Sequence, residues 1–159
     1  LINFAHIPKL VKGEVASTDL NLKNNMNTNQ VGKITELEVL SYVVRCGYSV
    51  SLPFGDKEDM IRFGYKREAL QGQVKTSKWT DEKHTAIVFN CYTVCNGKKH
   101  LYTDGEVDLF ATMCNGQLYV VPKNECSTLK KLRFSSEQAN LPNINWAKDY
   151  TFEEVLKRL

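Results

Sequence analysis

The sequence predicts an α+β (α/β) domain: one central mixed β-sheet flanked by helices. Three observations carry that reading. A long helical period follows Met26, short strand-like runs separated by turn dipeptides fill the middle, and a capped helical segment closes the chain. At 159 residues, 42% hydrophobic and 25% charged, the chain has ordinary globular composition and enough length for one domain with its own core.

The first helix is read from "NTNQVGKITELEVLSYVVRCGYSV". It is expected to run from about Val31 to Arg45, with Asn29 or a neighbour as cap and Gly47 as the C′ residue. "YSVSLPF" is a short strand halted by Pro53-Phe54-Gly55, and "DMIRFGYKR" and "ALQGQVKTS" are two strands joined by a turn near Lys66–Glu68. "TAIVFNCYTV" is β-rich and ends at Asn96-Gly97, and "VDLFATMC", Asn115-Gly116 and "LYVVP" form a hairpin. A basic tail "STLKKLRF" and a loop around Pro142 lead to a helix starting near Thr151, where Glu154 three residues on fits a capping box. Residues 1–25 have no clear period and run into the polar "NLKNNMNTNQ". They are expected to be an N-terminal extension, with 26–159 as the single domain.

Composition excludes some classes. No apolar run approaches the roughly 18 residues of a membrane span and no signal-peptide pattern opens the chain, so a cytoplasmic location without membrane association is expected. The net charge of +3 is too small to identify a nucleic-acid partner, although positive charge gathers at 62–67, 75–83, 98–100 and 130–133. Five cysteines, an odd number, point to reduced thiols. On one strand over 86–95, Cys91 and Cys95 would lie about 13 Å apart, too far for a tetrahedral zinc shared with His100. Buried free thiols are the expectation.

The candidate chemistry sits on the first helix and the second and third strands. On a helical wheel Glu36 falls inside the apolar arc of Val39, Val43, Leu40, Val44 and Leu37, whereas Glu38 lies on the polar side beside Arg45. A carboxylate on a buried stripe costs on the order of several kcal/mol unless paired or bound to metal, so Glu36 needs a partner. Strand alternation puts Gln71, Gln73 and Lys75 on one face and Leu70 and Val74 on the other, with Gly72 a weak point. Such a polar face serves solvent as readily as it builds a site. A hairpin from 59 to 75 would bring Asp59 beside Gln73 and Lys75. Asp59, the Gln73 carbonyl oxygen, Glu36 and a backbone carbonyl would then suit Mg²⁺ at about 2.1 Å. Lys75 would hold a water or offset phosphate charge, as phosphodiester hydrolysis requires.

Glu36, Asp59 and Gln73-Val74-Lys75 resemble the E…D…(D/E/Q)-x-K core of PD-(D/E)XK nucleases. "GKITELEVLSYVVRCGYSVSLPFGD", "QVKTS", "GEVDLFA" and "LYVVP" are similar to the branch of cyanobacterial group I intron-encoded homing endonucleases, from about Met26 to Pro122. The resemblance implies a restriction-endonuclease-like core and Mg²⁺-dependent cleavage of double-stranded DNA at a long site. Asp59 would be the principal metal ligand, Glu36 a second acid, Gln73 the occupant of the usual second carboxylate position and Lys75 the motif lysine. Two departures stand out: no proline directly precedes Asp59, and Gln73 is neutral. Asp108 matches the branch's pattern in a supporting role.

Arg62, Lys66, Arg67 and Lys98, with the 130–133 cluster, are the expected DNA-facing cations, on ribbons that fit a major groove. A double-strand cut needs at least a homodimer, and the resemblance extends this to a homotetramer. Two alternatives stay open. One is a Holliday-junction-type resolvase. The other is a non-catalytic DNA-binding module whose Asp59/Lys75 pair is a surface salt bridge worth about 0–1 kcal/mol.

Overall fold

The computed structural model describes residues 26–52, 60–65, 68–135 and 143–159. Its first element is helix α1, Thr28–Arg45, three residues longer at its start than the sequence suggests. The cap is Asn27. Its side chain accepts from the Gln30 N–H while Gln30 Oε1 accepts from the Asn27 N–H, each at 2.9 Å, so two otherwise orphaned donors are satisfied. At the other end Gly47 takes φ +85°, the Gly47 N–H reaches the Val44 carbonyl and the Tyr48 N–H reaches Val43. That is a Schellman closure, and the left-handed residue it needs is the glycine.

The wheel placed the buried stripe too far round. Thr35, Val39 and Val43 are buried, whereas Leu37 and Val44 are 65% and 54% exposed. The inward face is therefore centred nearer Val39, and Glu36 lies at its margin, half-buried rather than enclosed.

Five strands form the central sheet: Val50–Ser51 (β1), Met60–Tyr65 (β2), Glu68–Val74 (β3), Leu109–Cys114 (β8) and Gln117–Pro122 (β9). Their order is β1-β2-β3-β8-β9, and only β3 and β8 run parallel, which makes the sheet mixed as expected. The expected β8–β9 hairpin turns at Asn115-Gly116, with φ of +50° and +74°, the pair of positive values a type I′ turn requires.

A second sheet, order β10-β5-β4, joins Lys78–Trp79 (β4), Ala86–Asn90 (β5) and Leu129–Arg133 (β10). The basic tail of the sequence reading is thus a strand, paired antiparallel to β5 from Leu129–Asn90 to Arg133–Ala86. The run expected as one strand over 86–95 breaks at Cys91. Beyond it Tyr92–Cys95 (β6) and Lys98–Leu101 (β7) form a separate two-stranded ribbon turning at Asn96-Gly97.

The closing helix α2, Phe152–Arg158, is capped by Thr151, whose hydroxyl accepts from the Glu154 N–H. The Glu154 carboxylate pairs with Lys157 at 2.6 Å. Phe152 is the hub that joins the layers. Tyr48, Phe63 and Tyr42 meet its ring edge-on at 5.4, 5.9 and 6.4 Å. These contacts tie α1, β2 and α2 into one core and fix α1 against the sheet that carries the candidate site.

Candidate active site

β3 is the middle strand of the central sheet, and its alternation is as the sequence implies. Val74 is 5% exposed on one face, and Gln73 and Lys75 project to the other. Gly72, read from sequence as a weak point, is required by packing. A β-carbon there would stand 2.8 Å from Phe63 Cε1 and 3.2 Å from Leu109 Cδ1. The glycine lets β2 and β8 side chains close over the strand that presents Gln73.

Gln73 is 3% exposed, far from the solvated face that its polarity allows. Its Nε2 donates to the Val74 carbonyl at 3.4 Å. It pairs with Met60 on β2 and Phe110 on β8. Asp59 lies outside the described residues. Its chain neighbour Met60 is the residue opposite Gln73.

Lys75 follows the end of β3. Its backbone N–H donates to the Ala111 carbonyl at 2.8 Å, extending the parallel ladder with β8. Its ammonium donates to the Tyr102 hydroxyl at 3.1 Å and stands 5.2 Å from that ring's centroid. Tyr102 in turn packs edge-on against Phe110 at 5.6 Å, so the ring contacting the lysine is fixed by the core.

Glu36 and Lys75 line the same cleft, a space of about 340 Å³ between the first turns of α1 and the end of β3. Thr28, Asn29, Gly32, Lys33, Val74 and Thr76 complete its wall. One bond anchors the helix to this strand end: Thr35 Oγ1 and Thr76 Oγ1 lie 3.2 Å apart, and Thr35 also donates to the Val31 carbonyl. The structure thus brings together Glu36 and Lys75, with the buried Gln73 two residues before Lys75 on the same strand face.

Asp108 has the supporting role expected of it. Its Oδ2 accepts from the Gln71 N–H at 2.7 Å, and its own N–H donates to the Gln71 carbonyl at 2.9 Å. This pair of hydrogen bonds sets the start of β8 against β3, one pair before Gly72 meets Leu109.

The expected cations divide. Arg62 on β2 and Lys98 at the ribbon tip are exposed; Lys66 and Arg67 lie outside the described residues. Of the cations in the 130–133 cluster, Lys130 turns inward, while Lys131 and Arg133 lie on the other, half-exposed face of β10. Lys130 is 5% exposed and donates to the Glu125 carbonyl and the Tyr150 hydroxyl, because β10 is a strand with alternating faces rather than a tail.

Sequence reasoning missed Lys33 and Tyr102. Lys33 was findable, since it stands one helical turn before Glu36 and shares its side of α1. Tyr102 was not, because its approach to Lys75 depends on where the ribbon returns.

Among the described residues no three His, Cys, Asp or Glu side chains gather closely enough to hold a metal ion. The donors present are oxygens of the kind a hard divalent cation takes, the Glu36 carboxylate and the Gln73 amide, and the third candidate is Asp59.

A helix beside the end of the central strand of a mixed sheet, with acid and lysine across one cleft, is the arrangement of a nuclease core. The model of the PD-(D/E)XK endonuclease family matches residues 26–153, and the chain belongs to that family. Among solved structures the fold is similar to that of a bacterial homing endonuclease, I-Ssp6803I, with TM-score 0.67 and 16% identity over 84% of this chain and 95% of that one. The structure of MepB also aligns, at TM-score 0.37 and 14% identity over 74% of this chain and 87% of that one. No curated protein matches the chain by sequence.

Proposed function

We propose that this chain is a site-specific homing endonuclease that makes double-strand breaks in DNA by Mg²⁺-dependent phosphodiester hydrolysis at an intron insertion site. The observation that carries it is the cleft shared by Glu36 and Lys75, with the buried Gln73 two residues before Lys75, in a chain of the PD-(D/E)XK family. In this reading Asp59, Gln73 and Glu36 hold the cation. When bound, it supplies positive charge that polarises a phosphoryl oxygen and acidifies water.

The chain's own residues do the rest. Lys75, held by Tyr102, offers an ammonium to the negative charge that grows on the phosphate during attack. Lys33, on the same wall as Glu36, adds a second cation toward the DNA backbone. The β6–β7 ribbon is of the width a major groove admits, and Lys98 at its tip and Arg62 on β2 are phosphate contacts in this reading, with Lys66 and Arg67 beside them in sequence. One active site cuts one strand, so the function calls for at least a homodimer, and a homotetramer suits a long target.

The test is nicking and cleavage of a DNA pool carrying candidate intron insertion sites, with and without Mg²⁺, by wild type and Asp59→Ala. Site-specific cleavage that needs both metal and Asp59 supports the reading. Tight metal-independent binding without a cut makes the chain a binding module instead. Cleavage confined to branched DNA makes it a junction resolvase.

A further inference from the structure

The two faces of the β6–β7 ribbon differ in chemistry. Its register pairs Tyr92 with Leu101, Thr93 with His100, Val94 with Lys99 and Cys95 with Lys98. Strand alternation therefore puts Thr93, Cys95, Lys98 and His100 on one face and Tyr92, Val94, Lys99 and Leu101 on the other. On the second face the Lys99 ammonium lies over the Tyr92 ring at 4.8 Å, beside the apolar Val94 and Leu101. The first face is exposed except at the half-buried Thr93, and it carries an imidazole, a hydroxyl and an ammonium.

This polar face leads to the cleft. The His100 ring meets Tyr102 edge-on at 6.1 Å, and the Lys75 ammonium stands 5.2 Å from the centroid of the same Tyr102 ring. Duplex DNA rises about 3.4 Å per base pair, so the two contacts laid end to end span about three base pairs. His100 is also held. Glu106 Oε2 lies 3.6 Å from its Nε2 and accepts from the Thr103 N–H and hydroxyl at 2.7 Å each, so the turn beyond β7 fixes the carboxylate that faces the imidazole. The imidazole is still 50% exposed. A side chain steadied by its neighbours and open to solvent loses little freedom when it takes up a partner.

We infer that His100 and Thr93 are specificity-determining residues, which read base edges in the major groove within about four base pairs of the phosphate at Lys75. The inference rests on the endonuclease reading of the cleft. Lys98, two residues nearer the ribbon tip, supplies charge to the DNA backbone, and such a contact carries no sequence information. An imidazole and a hydroxyl form directional hydrogen bonds, which distinguish one base pair from another. Tyr102 sets the distance between reading and cutting. It touches both His100 and Lys75, and its ring is fixed against Phe110 at 5.6 Å.

The experiment is selection of bound DNA from a pool of randomised duplexes, with Mg²⁺ left out, followed by sequencing. The full chain is compared with His100→Ala, Thr93→Val and, from the opposite face, Val94→Ala. The selected site is then incubated with wild type and Mg²⁺ to locate the cleaved phosphate. In wild type a base preference of roughly tenfold or more is expected within about four base pairs of the cut. His100→Ala should bring that position to near-equal use of the four bases, Thr93→Val should do so at a neighbouring position, and Val94→Ala should keep both preferences. The inference is overturned if His100→Ala and Thr93→Val keep every wild-type preference. It is equally overturned if they weaken binding or cutting evenly across sequences, since His100 would then only support Tyr102. Cutting without sequence preference by wild type overturns it while the nuclease reading stands. Selection of a sequence that wild type never cuts removes the nuclease reading, and the preferences of the two variants then decide whether these residues read bases.

Discussion

Gly72→Ala tests the packing that presents the candidate site. The new methyl would lie 2.8 Å from Phe63 Cε1 and 3.2 Å from both Phe63 Cζ and Leu109 Cδ1, inside normal contact on two sides. Phe63 cannot swing aside, since it is 1% exposed and meets Phe152 edge-on at 5.9 Å; Leu109 is fully buried. Overpacking of this kind costs about 1–3 kcal/mol. Against it, alanine restricts the unfolded chain and returns roughly 0.4–1 kcal/mol. The packing loss wins, for a net destabilisation of about 1–2 kcal/mol. Urea unfolding followed by far-ultraviolet circular dichroism should show a lower midpoint with an unchanged slope. Phe63→Leu in the Gly72→Ala background should recover part of the loss, as a double-mutant cycle with non-zero coupling. A Gly72→Ala protein as stable as wild type would refute the close approach of Phe63 and with it the account of why a glycine precedes Gln73.

Three further outcomes are expected. Lys75→Ala should lower DNA cleavage by about a hundredfold or more with the unfolding midpoint little changed, and Tyr102→Phe should give a smaller loss, read as single-turnover rates on the same substrate. Lys98→Ala should weaken DNA binding uniformly across sequences and reduce the slope of log K against log salt by about 0.9, measured by fluorescence anisotropy. Asp81 accepts from the Thr85 N–H at 3.1 Å, the Thr80 hydroxyl at 2.8 Å and the Thr85 hydroxyl, and these bonds, the Thr85 hydroxyl first, lower its pKa to about 2 from 3.8. The unfolded chain therefore takes up the proton first, so the contribution of Asp81 is present above 3.8 and lost as pH falls toward about 2. Asp81→Asn should remove that acid dependence from the unfolding midpoint.

The parts of the fold legible in the sequence were those with local causes. The C′ glycine at Gly47, both Asn-Gly hairpins and the alternation of β3 follow from backbone preferences and a period of two, and each is present. What was not legible depended on contacts between distant segments. The α1 stripe was misplaced because hydrophobicity alone cannot tell Leu37 and Val44, which stay exposed, from Val39 and Val43, which meet the sheet. The "STLKKLRF" segment looks like a solvated basic tail until β5 pairs with it and buries Lys130. At the candidate site, the shared face of Gln73 and Lys75 was readable, whereas the enclosure of Glu36 in an apolar stripe was misread with the stripe itself. The Lys75–Tyr102 bond was not, because the ribbon lies between those residues in the chain.

The burial of Gln73 gives its neutrality a physical sense. At 3% exposure a carboxylate in that position would lose nearly all its hydration, a penalty of several kcal/mol by order of magnitude unless a cation stood beside it. An amide avoids the charge penalty and can bond the Val74 carbonyl at 3.4 Å. The exchange has a counterpart in metal affinity, because a neutral oxygen attracts a divalent cation less than a carboxylate does. In the proposed site, part of that attraction would then fall to the half-buried Glu36, which lines the cleft with Lys75. In the proposed Mg²⁺ site, the charge that holds the ion would thus be moved from the middle strand of the sheet to a helix at its margin, where carrying it costs the fold least.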